Sequence, residues 1–322
     1  MLKAMLDKAA RVITGGFFIV SLFLTGCAHL QTDDVLQTEI SNKEHVELVD
    51  VPFIAQQQYQ CGPAALAMML QAENKNVTAD QLQSQVYLPK QEGSLQIEML
   101  AAARQYNVIP YVLDKKISNL LAEVRAQHPV LVLQNLGLSW LPKWHYAVVI
   151  GYNFETAEII LRSGSEARHV VAMKVFERTW ERSNYWAVVL LSPDKLPVTA
   201  TEIRYVESVA VLERMKNYEV SQVGYQTALK QWPDNKIAMM GLANTYYAMQ
   251  DYHNAAKIFQ NLTLRYPEFA DGFNNLADTL ARLQRYEEAM LAAKQAVKLG
   301  GERNKIYLQT LAEIEQLIMS SQ

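Results

Sequence analysis

The hydrophobic and polar positions of this chain follow two different patterns, which meet near residue 200. From residue 50 to 192, short apolar runs of strand type alternate with segments whose apolar residues recur at helical spacing. This mixture predicts one α+β core over residues 50–192. Helices are expected directly after Cys61 and over 95–105, and strands over 108–112, 130–133, 146–152, 157–161, 170–175 and 185–190.

Beyond residue 202 the pattern becomes a repeat. Tyr218, Tyr252 and Tyr286 are spaced 34 residues apart, and Pro233 and Pro267 have the same spacing. The period resembles the tetratricopeptide repeat, in which each unit is a pair of antiparallel helices. In the second unit the residues that fit this repeat are Leu242, Ala243, Tyr246, Ala255, Phe259 and Pro267. The three units are 202–235, 236–269 and 270–303, and a closing helix is expected over 306–318.

The repeat resemblance implies an all-α module over 202–322 that binds a protein partner on its concave surface. Residues 193–201 contain two prolines and few large apolar groups, which predicts a linker between the two parts. We therefore expect residues 50–192 and 202–322 to fold separately.

The first 26 residues have the pattern of a secretory leader. Three basic residues precede a short apolar run over 17–24, which is too short to span a bilayer comfortably. The run ends in Leu24-Thr25-Gly26-Cys27, which resembles the lipobox of bacterial lipoproteins. The resemblance implies acylation of Cys27, and Ala28 in the next position favours the outer membrane, facing the periplasm. A plain secretory leader with an incidental cysteine is the alternative.

Residues 27–49 are polar and aperiodic, which predicts a tether. The whole chain has a net charge of −3, and removing residues 1–26 takes away three basic residues and one acidic residue, so the mature charge is −3 − 2 = −5. This balance does not indicate nucleic-acid binding. The histidines are scattered and no CxxC or HExxH motif occurs, so we expect neither a metal site nor a cofactor.

One of the two cysteines is a candidate nucleophile. Cys61 is followed by Gly62, Pro63 and a run of good helix formers over 64–70, so it lies at a helix N-terminus or one residue before it. The unpaired N–H groups and the dipole of a helix N-terminus favour the thiolate. The alternative is a buried structural thiol.

A thiolate nucleophile needs a base that shares its proton. His145 is the leading candidate, because it opens the strand predicted over 146–152 and a sheet would hold it in place. His128 and His169 also lie at strand entrances, and either could be the base.

The residues around Cys61 and His145 carry a family resemblance. Gln56, then Cys61-Gly62-Pro63, and later the strand that begins at His145 are similar to the motifs of the papain-like bacteriocin-processing, or double-glycine leader, cysteine peptidases. The resemblance implies an α+β papain-like fold, with Cys61 as nucleophile, His145 as base and Gln56 as oxyanion donor. The spacing leaves Gln57 open as the donor.

The third catalytic position departs from that family. An Asp or Asn is expected at the end of the strand after the histidine strand, and here Ser163 occupies the position. A serine hydroxyl stabilises imidazolium less than a carboxylate does, so the expected site is a Cys-His dyad with a weak orienter.

These observations predict a membrane-anchored periplasmic cysteine peptidase whose repeats bind a protein partner. Two alternatives are a peptidoglycan endopeptidase or amidase, and a catalytically weak assembly factor that only binds peptide. The absence of a carboxylate behind His145 favours the second alternative.

Overall fold

The computed structural model describes residues 30–39, 43–55, 61–91 and 93–320. The predicted leader over 1–26 and the predicted acylation site Cys27 lie outside these residues. Gln56 and Gln57, the candidate oxyanion donors, also lie outside them. No helix among the described residues combines the length and the apolar character that crossing a membrane requires.

The chain folds as an α+β region followed by an array of helices, as the two hydrophobic patterns predict. The helices are α1 (Gln31–Thr38), α2 (Cys61–Ala72), α3 (Ala79–Val86), α4 (Gln96–Arg104), α5 (Ile117–Arg125), α6 (Met173–Glu181), α7 (Glu202–Arg214), α8 (Tyr218–Gln231), α9 (Lys236–Ala248), α10 (Tyr252–Arg265), α11 (Ala270–Arg282), α12 (Tyr286–Leu299) and α13 (Asn304–Ser320). The strands are β1 (His45–Glu47), β2 (Tyr87–Leu88), β3 (Gly93–Ser94), β4 (Ile109–Val112), β5 (Val130–Asn135), β6 (Trp144–Asn153), β7 (Glu158–Ser163), β8 (Glu166–Ala172) and β9 (Ala187–Leu191).

The main sheet is antiparallel and has β5 and β6 at its centre. Its strand order is β4-β9-β5-β6-β7-β8, and β1 pairs with the far end of β6. Both central strands are nearly continuous apolar runs because both faces of the sheet are covered. Helix α2 packs against β6, which brings the helix that begins at Cys61 onto the strand that contains His145.

Two helices of this region, α5 and α6, were not expected from the sequence. Each has a helical apolar stripe, with Ile117, Leu120 and Val124 buried in α5 and Phe176 and Trp180 buried in α6. The strand predicted over 170–175 is therefore wrong in its second half. Strand β8 ends at residue 172, and the chain turns directly into α6 because the apolar spacing changes from two residues to three and four.

The prediction of an aperiodic tether is wrong where residues 31–38 form α1 and residues 45–47 form β1. Helix α1 is polar, and its start is stabilised by a distant carboxylate. The buried side chain of Glu177 in α6 accepts hydrogen bonds from the backbone N–H groups of Gln31 (2.8 Å) and Thr32 (2.7 Å). A carboxylate at a helix N-terminus satisfies unpaired donors and interacts favourably with the dipole. The carboxylate of Glu177 reaches the start of α1 only because the tertiary fold brings α6 beside it.

The helical array consists of three antiparallel pairs, α7–α8, α9–α10 and α11–α12, closed by α13. Small residues let the helices approach one another closely. A side chain at Gly241 in α9 would overlap the ring of Tyr225 in α8, which is fully buried. Asn235 caps α9 by accepting a hydrogen bond from the N–H of Ala238 at 2.6 Å.

The first helix pair shares its core with the α+β region. Tyr205 and Val209 of α7 are fully buried in the same apolar cluster as the sheet, and Gly224 of α8 lies over the side chain of Ile109 in β4. The separate folding of residues 50–192 and 202–322 stays a prediction, and separating them would expose this apolar surface.

Carboxylates of the α+β region hold both ends of the predicted linker over 193–201. Glu73 accepts hydrogen bonds from the N–H and hydroxyl of Ser192 and from Lys195. At the other end, Glu123 accepts hydrogen bonds from the N–H (2.8 Å) and the hydroxyl (2.6 Å) of Thr199. The connection is therefore bound to the domain surface along its length.

Candidate functional site

Cys61 is the first residue of α2, which confirms the predicted position at a helix start. The thiol is unpaired and partly buried, whereas the nine residues that follow it are all buried. Good helix formers and the Pro63 ring, which suits the first turn, place the helix start here. The thiol therefore lies at the positive end of the α2 dipole.

Gly62 allows the start of α2 to approach strand β3. A side chain at Gly62 would collide with the side chain of Ser94 and come close to Met99. The Ser94 hydroxyl is buried and has no hydrogen-bond partner among the described residues. The Cys-Gly pair thus has a steric reason that the sequence alone does not reveal.

His145 and Ser163 meet across neighbouring antiparallel strands. The Nε2 atom of His145 in β6 lies 2.9 Å from the hydroxyl oxygen of Ser163, the last residue of β7. The contact leaves Nδ1 as the ring atom that makes no hydrogen bond within the described chain. For Nδ1 to accept a proton, Nε2 must carry the hydrogen and donate it to Ser163.

Burial, with smaller electrostatic contributions from Lys143 and His169, lowers the pKa of His145 to about 4. The described residues place no carboxylate against the ring. The imidazole is therefore neutral at pH 7. A neutral imidazole can act as a general base by accepting a proton. An imidazolium could not accept one and would instead form an ion pair with a thiolate.

Tyr146, the residue after His145, was not singled out from the sequence. Its hydroxyl donates a 3.0 Å hydrogen bond to the carbonyl of Ser94, beside Gly62. Burial raises the pKa of this phenol, and the proximity of Cys61 contributes in the same direction. The beginning of β6 therefore lies close to the beginning of α2, although nothing in the sequence pattern identifies this contact.

The register places His145 and Tyr146 on opposite faces of the sheet, because successive side chains of a strand alternate. Gln134 lies directly opposite His145, and its amide donates to the hydroxyl of Thr179 in α6. Within the described part of the chain, no hydrogen bond joins the Sγ atom of Cys61 to the His145 ring. The structure thus brings His145 to Ser163 and the strand to the helix, but it does not show a closed Cys61–His145 pair.

The two other candidate bases lie in different surroundings. His128 contacts the buried Glu123 at 2.7 Å and precedes β5 at the end away from Gln134. Gln134 is the sixth residue after His128, a separation of about 20 Å of extended chain. His169 lies in β8 opposite Leu161 and contacts the exposed carboxylate of Glu166 at 3.1 Å. Among the described residues, no group of three His, Cys, Asp or Glu side chains could hold a metal ion.

Comparison with known proteins supports both halves of this arrangement. Residues 48–188 match the model of the Peptidase_C39 like family, and residues 241–303 match that of the tetratricopeptide repeat. The second match covers the second and third helix pairs and leaves out the first. A search of curated proteins found no match to the chain.

Solved structures similar to this chain fall into the same two groups. A protein of Bacillus anthracis described as a C39-like peptidase is 22% identical, with a TM-score of 0.40, and the alignment covers 46% of this chain and 98% of that one. The tetratricopeptide domain of Sgt2 from Aspergillus fumigatus is 18% identical, with a TM-score of 0.35, over 37% of this chain and 80% of that one. The first such domain of human RPAP3 is 16% identical, with a TM-score of 0.35, over 37% and 93%.

The matched residues coincide with the two architectures of the fold. Most of the α+β region, including Cys61, His145 and Ser163, lies within the first match, which leaves out α1, β1 and the last residues of β9. The chain therefore carries an N-terminal C39-like peptidase domain followed by a region of tetratricopeptide repeats.

Proposed function

We propose that this protein is a cysteine peptidase in which Cys61 is the nucleophile and His145 is the general base. The observation that carries the proposal is the 2.9 Å contact between Nε2 of His145 and Ser163, on the strand against which the Cys61 helix packs. The C39-like family match covers all three residues. A helix-start thiol, an uncharged imidazole and a residue that orients its ring are three of the parts that acyl transfer needs.

In the proposed reaction, Nδ1 of His145 takes the proton from the Cys61 thiol as Sγ attacks the carbonyl carbon of a peptide bond. The tetrahedral intermediate collapses, the C–N bond breaks, and the imidazolium gives its proton to the departing amine. Water then loses a proton to His145 and attacks the thioester, which releases the acid and restores the thiol. Substrate binding has to bring Sγ and Nδ1 together, since such contacts often tighten only in the complex.

The oxyanion donor of this reaction is proposed to be Gln56, with Gln57 as the alternative. Both precede the Cys61 helix by a few residues, as the oxyanion glutamine does in the family that the motif resembles. Removing one oxyanion donor in an acyl-transfer enzyme lowers the rate by about 10²–10³. Comparison of Gln56→Ala with Gln57→Ala distinguishes the two, because only the donor gives a loss of that size.

The decisive experiment is labelling with a thiol-directed acyl electrophile. The chain from residue 28 onward retains every described residue and has Cys61 as its one cysteine, so a single adduct reports on the site. We expect labelling of the wild type, loss of the adduct in Cys61→Ala, and much slower labelling in His145→Ala at pH 7. Labelling of His145→Ala at the wild-type rate would contradict the assignment of the base.

A second candidate function is peptide binding with little catalysis. The hydroxyl of Ser163 stands where a carboxylate would stabilise imidazolium, and this favours a weak site. An active peptidase cleaves a mixed peptide library with multiple turnovers. A binding factor gives at most one acyl adduct per chain and no released peptide, and Cys61→Ala retains its affinity for peptide.

The repeats are proposed to bind a protein partner, since stacked helix pairs form extended concave surfaces. The match to the tetratricopeptide repeat family supports this assignment. A Cys61→Ala chain, which holds substrate without turnover, is the suitable bait for crosslinking and mass spectrometry. Recovery of the same protein with residues 28–201 alone would assign the binding to the peptidase domain instead.

Anchoring at the outer membrane, facing the periplasm, is proposed from the Leu24-Thr25-Gly26-Cys27 motif. Several acyl chains on one cysteine give stable membrane attachment where a single chain does not. A Cys27→Ser chain should remain uncleaved or become soluble. Wild-type fractionation of that variant would contradict the acylation.

A further inference from the structure

The eight residues between β5 and β6, together with Trp144 at the start of β6, carry hydrophobic side chains on the surface. We call residues 136–144 the apolar loop. It carries five large hydrophobic side chains that are between 47% and 78% exposed, and its only charged residue is Lys143. The five are Leu136, Leu138, Trp140, Leu141 and Trp144. Exposed hydrophobic residues elsewhere on the described surface occur singly or in pairs along the chain. Such a concentration in one loop marks an interaction surface.

The backbone of the apolar loop is paired within the protein. Leu138 and Leu141 exchange two hydrogen bonds of 3.1 Å across the tip, and the side chain of Asn135 accepts from the N–H groups of Gly137 and Lys143 at 2.9 Å each. Arg182, directly after α6, donates to the carbonyl of Gly137 at 2.8 Å. These internal hydrogen bonds reduce the number of backbone groups that would lose their partners if the tip entered an apolar medium.

The chain enters the described fold beside α6, the helix that Arg182 follows. Gln31 is held by Glu177, five residues before Arg182, which is about 7.5 Å along a helix axis. A second connection joins Gln31 to the turn after α6, because its amide donates to the carbonyl of Lys115, whose ammonium contacts Asn184. The point of entry and the apolar loop are thus fixed by one helix and its following turn.

That arrangement limits how far the domain can be from an anchor at Cys27. Leu30 is buried and is the third residue after Cys27, a separation of at most about 11 Å of extended chain. An acylated Cys27 would therefore hold the α6 end of the domain at the bilayer surface.

A lipid surface fits this loop better than a peptide segment does. The apolar side chains project from a hairpin tip, whereas peptide and ligand sites are concave. Tryptophan with a neighbouring lysine is the composition that membrane interfaces select. The loop has no acidic residue, and its single positive charge suits anionic headgroups.

We propose that the apolar loop inserts into the membrane interface and, together with the N-terminal anchor, fixes the orientation of the peptidase domain. Trp140 and Leu141 at the tip enter the acyl boundary, and Lys143 stays at headgroup level. Since Trp144 adjoins His145, the candidate site then opens close to the bilayer surface.

The test uses the chain from residue 28 onward, which lacks Cys27, so its result does not depend on the proposed acylation. Binding is measured by flotation with vesicles of phosphatidylethanolamine and phosphatidylglycerol. We expect the wild type to bind with a blue shift of tryptophan emission, and Trp140→Ser/Leu141→Ser to bind at least about tenfold more weakly without the shift. The matched control is Leu264→Ser/Leu291→Ser, which removes two equally exposed leucines from the repeats and should bind as the wild type does.

Three results would overturn the proposal. They are wild-type chain that stays unbound, equal binding by wild type and loop variant, and equal weakening in loop variant and control. Cleavage of a soluble peptide is measured in parallel. If the wild type does not bind vesicles and the loop variant loses cleavage through a higher KM, the loop is a substrate-binding element instead.

Discussion

Two histidines of this protein show how differently the fold treats similar residues in two regions. At the junction with the repeats, His128 contacts the fully buried carboxylate of Glu123, whose other oxygen binds Thr199. In the candidate site, His145 contacts the hydroxyl of Ser163 and no carboxylate among the described residues. The fold therefore places a buried carboxylate beside His128, where the α+β region joins the repeats. Among the described residues it places none beside His145, where a carboxylate would stabilise the imidazolium. His128 therefore has a structural contact at the junction, whereas His145 belongs to the candidate site.

The largest effect is expected when each of the two histidines is replaced, because the two variants should lose different properties. His145→Ala should lower the rate of peptide cleavage by about 10²–10⁴, the usual contribution of a general base, and leave the unfolding midpoint nearly unchanged. His128→Ala should do the opposite, because Glu123 loses a partner and His128 precedes β5 at the end away from His145. Cleavage kinetics and urea unfolding of both variants check this. Equal losses of activity would mean that His128 affects the chemistry.

The second effect concerns the carboxylate at the junction. Glu123→Ala leaves the N–H and hydroxyl of Thr199 and the ring of His128 without their partner, which should cost about 2–3 kcal/mol of unfolding free energy. The matched control is Glu166→Ala, which removes the exposed carboxylate beside His169 and should change stability by less than about 0.5 kcal/mol. Urea denaturation measures both. Similar losses of unfolding free energy in the two variants would show that the buried carboxylate at the junction contributes no more to stability than an exposed one.

The third effect tests the hydroxyl at the candidate site. Ser163→Ala should reduce the cleavage rate by about tenfold or less, whereas loss of an orienting carboxylate in a serine triad costs about 10⁴. Ser163→Asp gives His145 the kind of partner that His128 has, and should raise its pKa from about 4. Kinetics and NMR titration of the imidazole report the two quantities. A loss of a thousandfold in Ser163→Ala would show that the serine is essential.

The smallest expected effect is the change in the pKa of His145 when a neighbouring charged or titratable side chain is removed. Lys143 and His169 both lower the pKa of His145, so Lys143→Gln and His169→Gln should each raise it slightly from about 4. His145 is neutral in the folded chain above that value, whereas an unfolded histidine takes up a proton below about 6.5. Stability from this group is therefore complete above pH 6.5 and is lost as the pH falls toward 4.

The measurement is the unfolding midpoint between pH 7 and 4 in the wild type and in His145→Gln. The variant should have the shallower decline, because it lacks the group that protonates only on unfolding. Parallel curves would show that His145 is exposed enough to titrate normally in the folded protein.

The candidate site was predictable in its parts but not in its contacts. Helix formers after Pro63 placed Cys61 at a helix start, and the apolar run after His145 placed that histidine at a strand entrance. Ser163 was identified through the family motif, and its contact with His145 is present. The proximity of Tyr146 and Ser94 to the Cys61 helix had no signal, because it depends on packing between elements distant in sequence.

The sequence by itself determined the secondary-structure elements that follow from local residue patterns. A 34-residue period gives helix pairs, apolar runs give central strands, and helix formers after Pro63 give α2, because these patterns need only the geometry of one element. Only the tertiary structure decided that polar residues 31–38 form a helix, because the stabilising carboxylate of Glu177 lies about 145 residues away. It also decided that His145 is neutral and His128 is paired, since burial and neighbouring charge belong to the assembled fold and not to any segment of the chain.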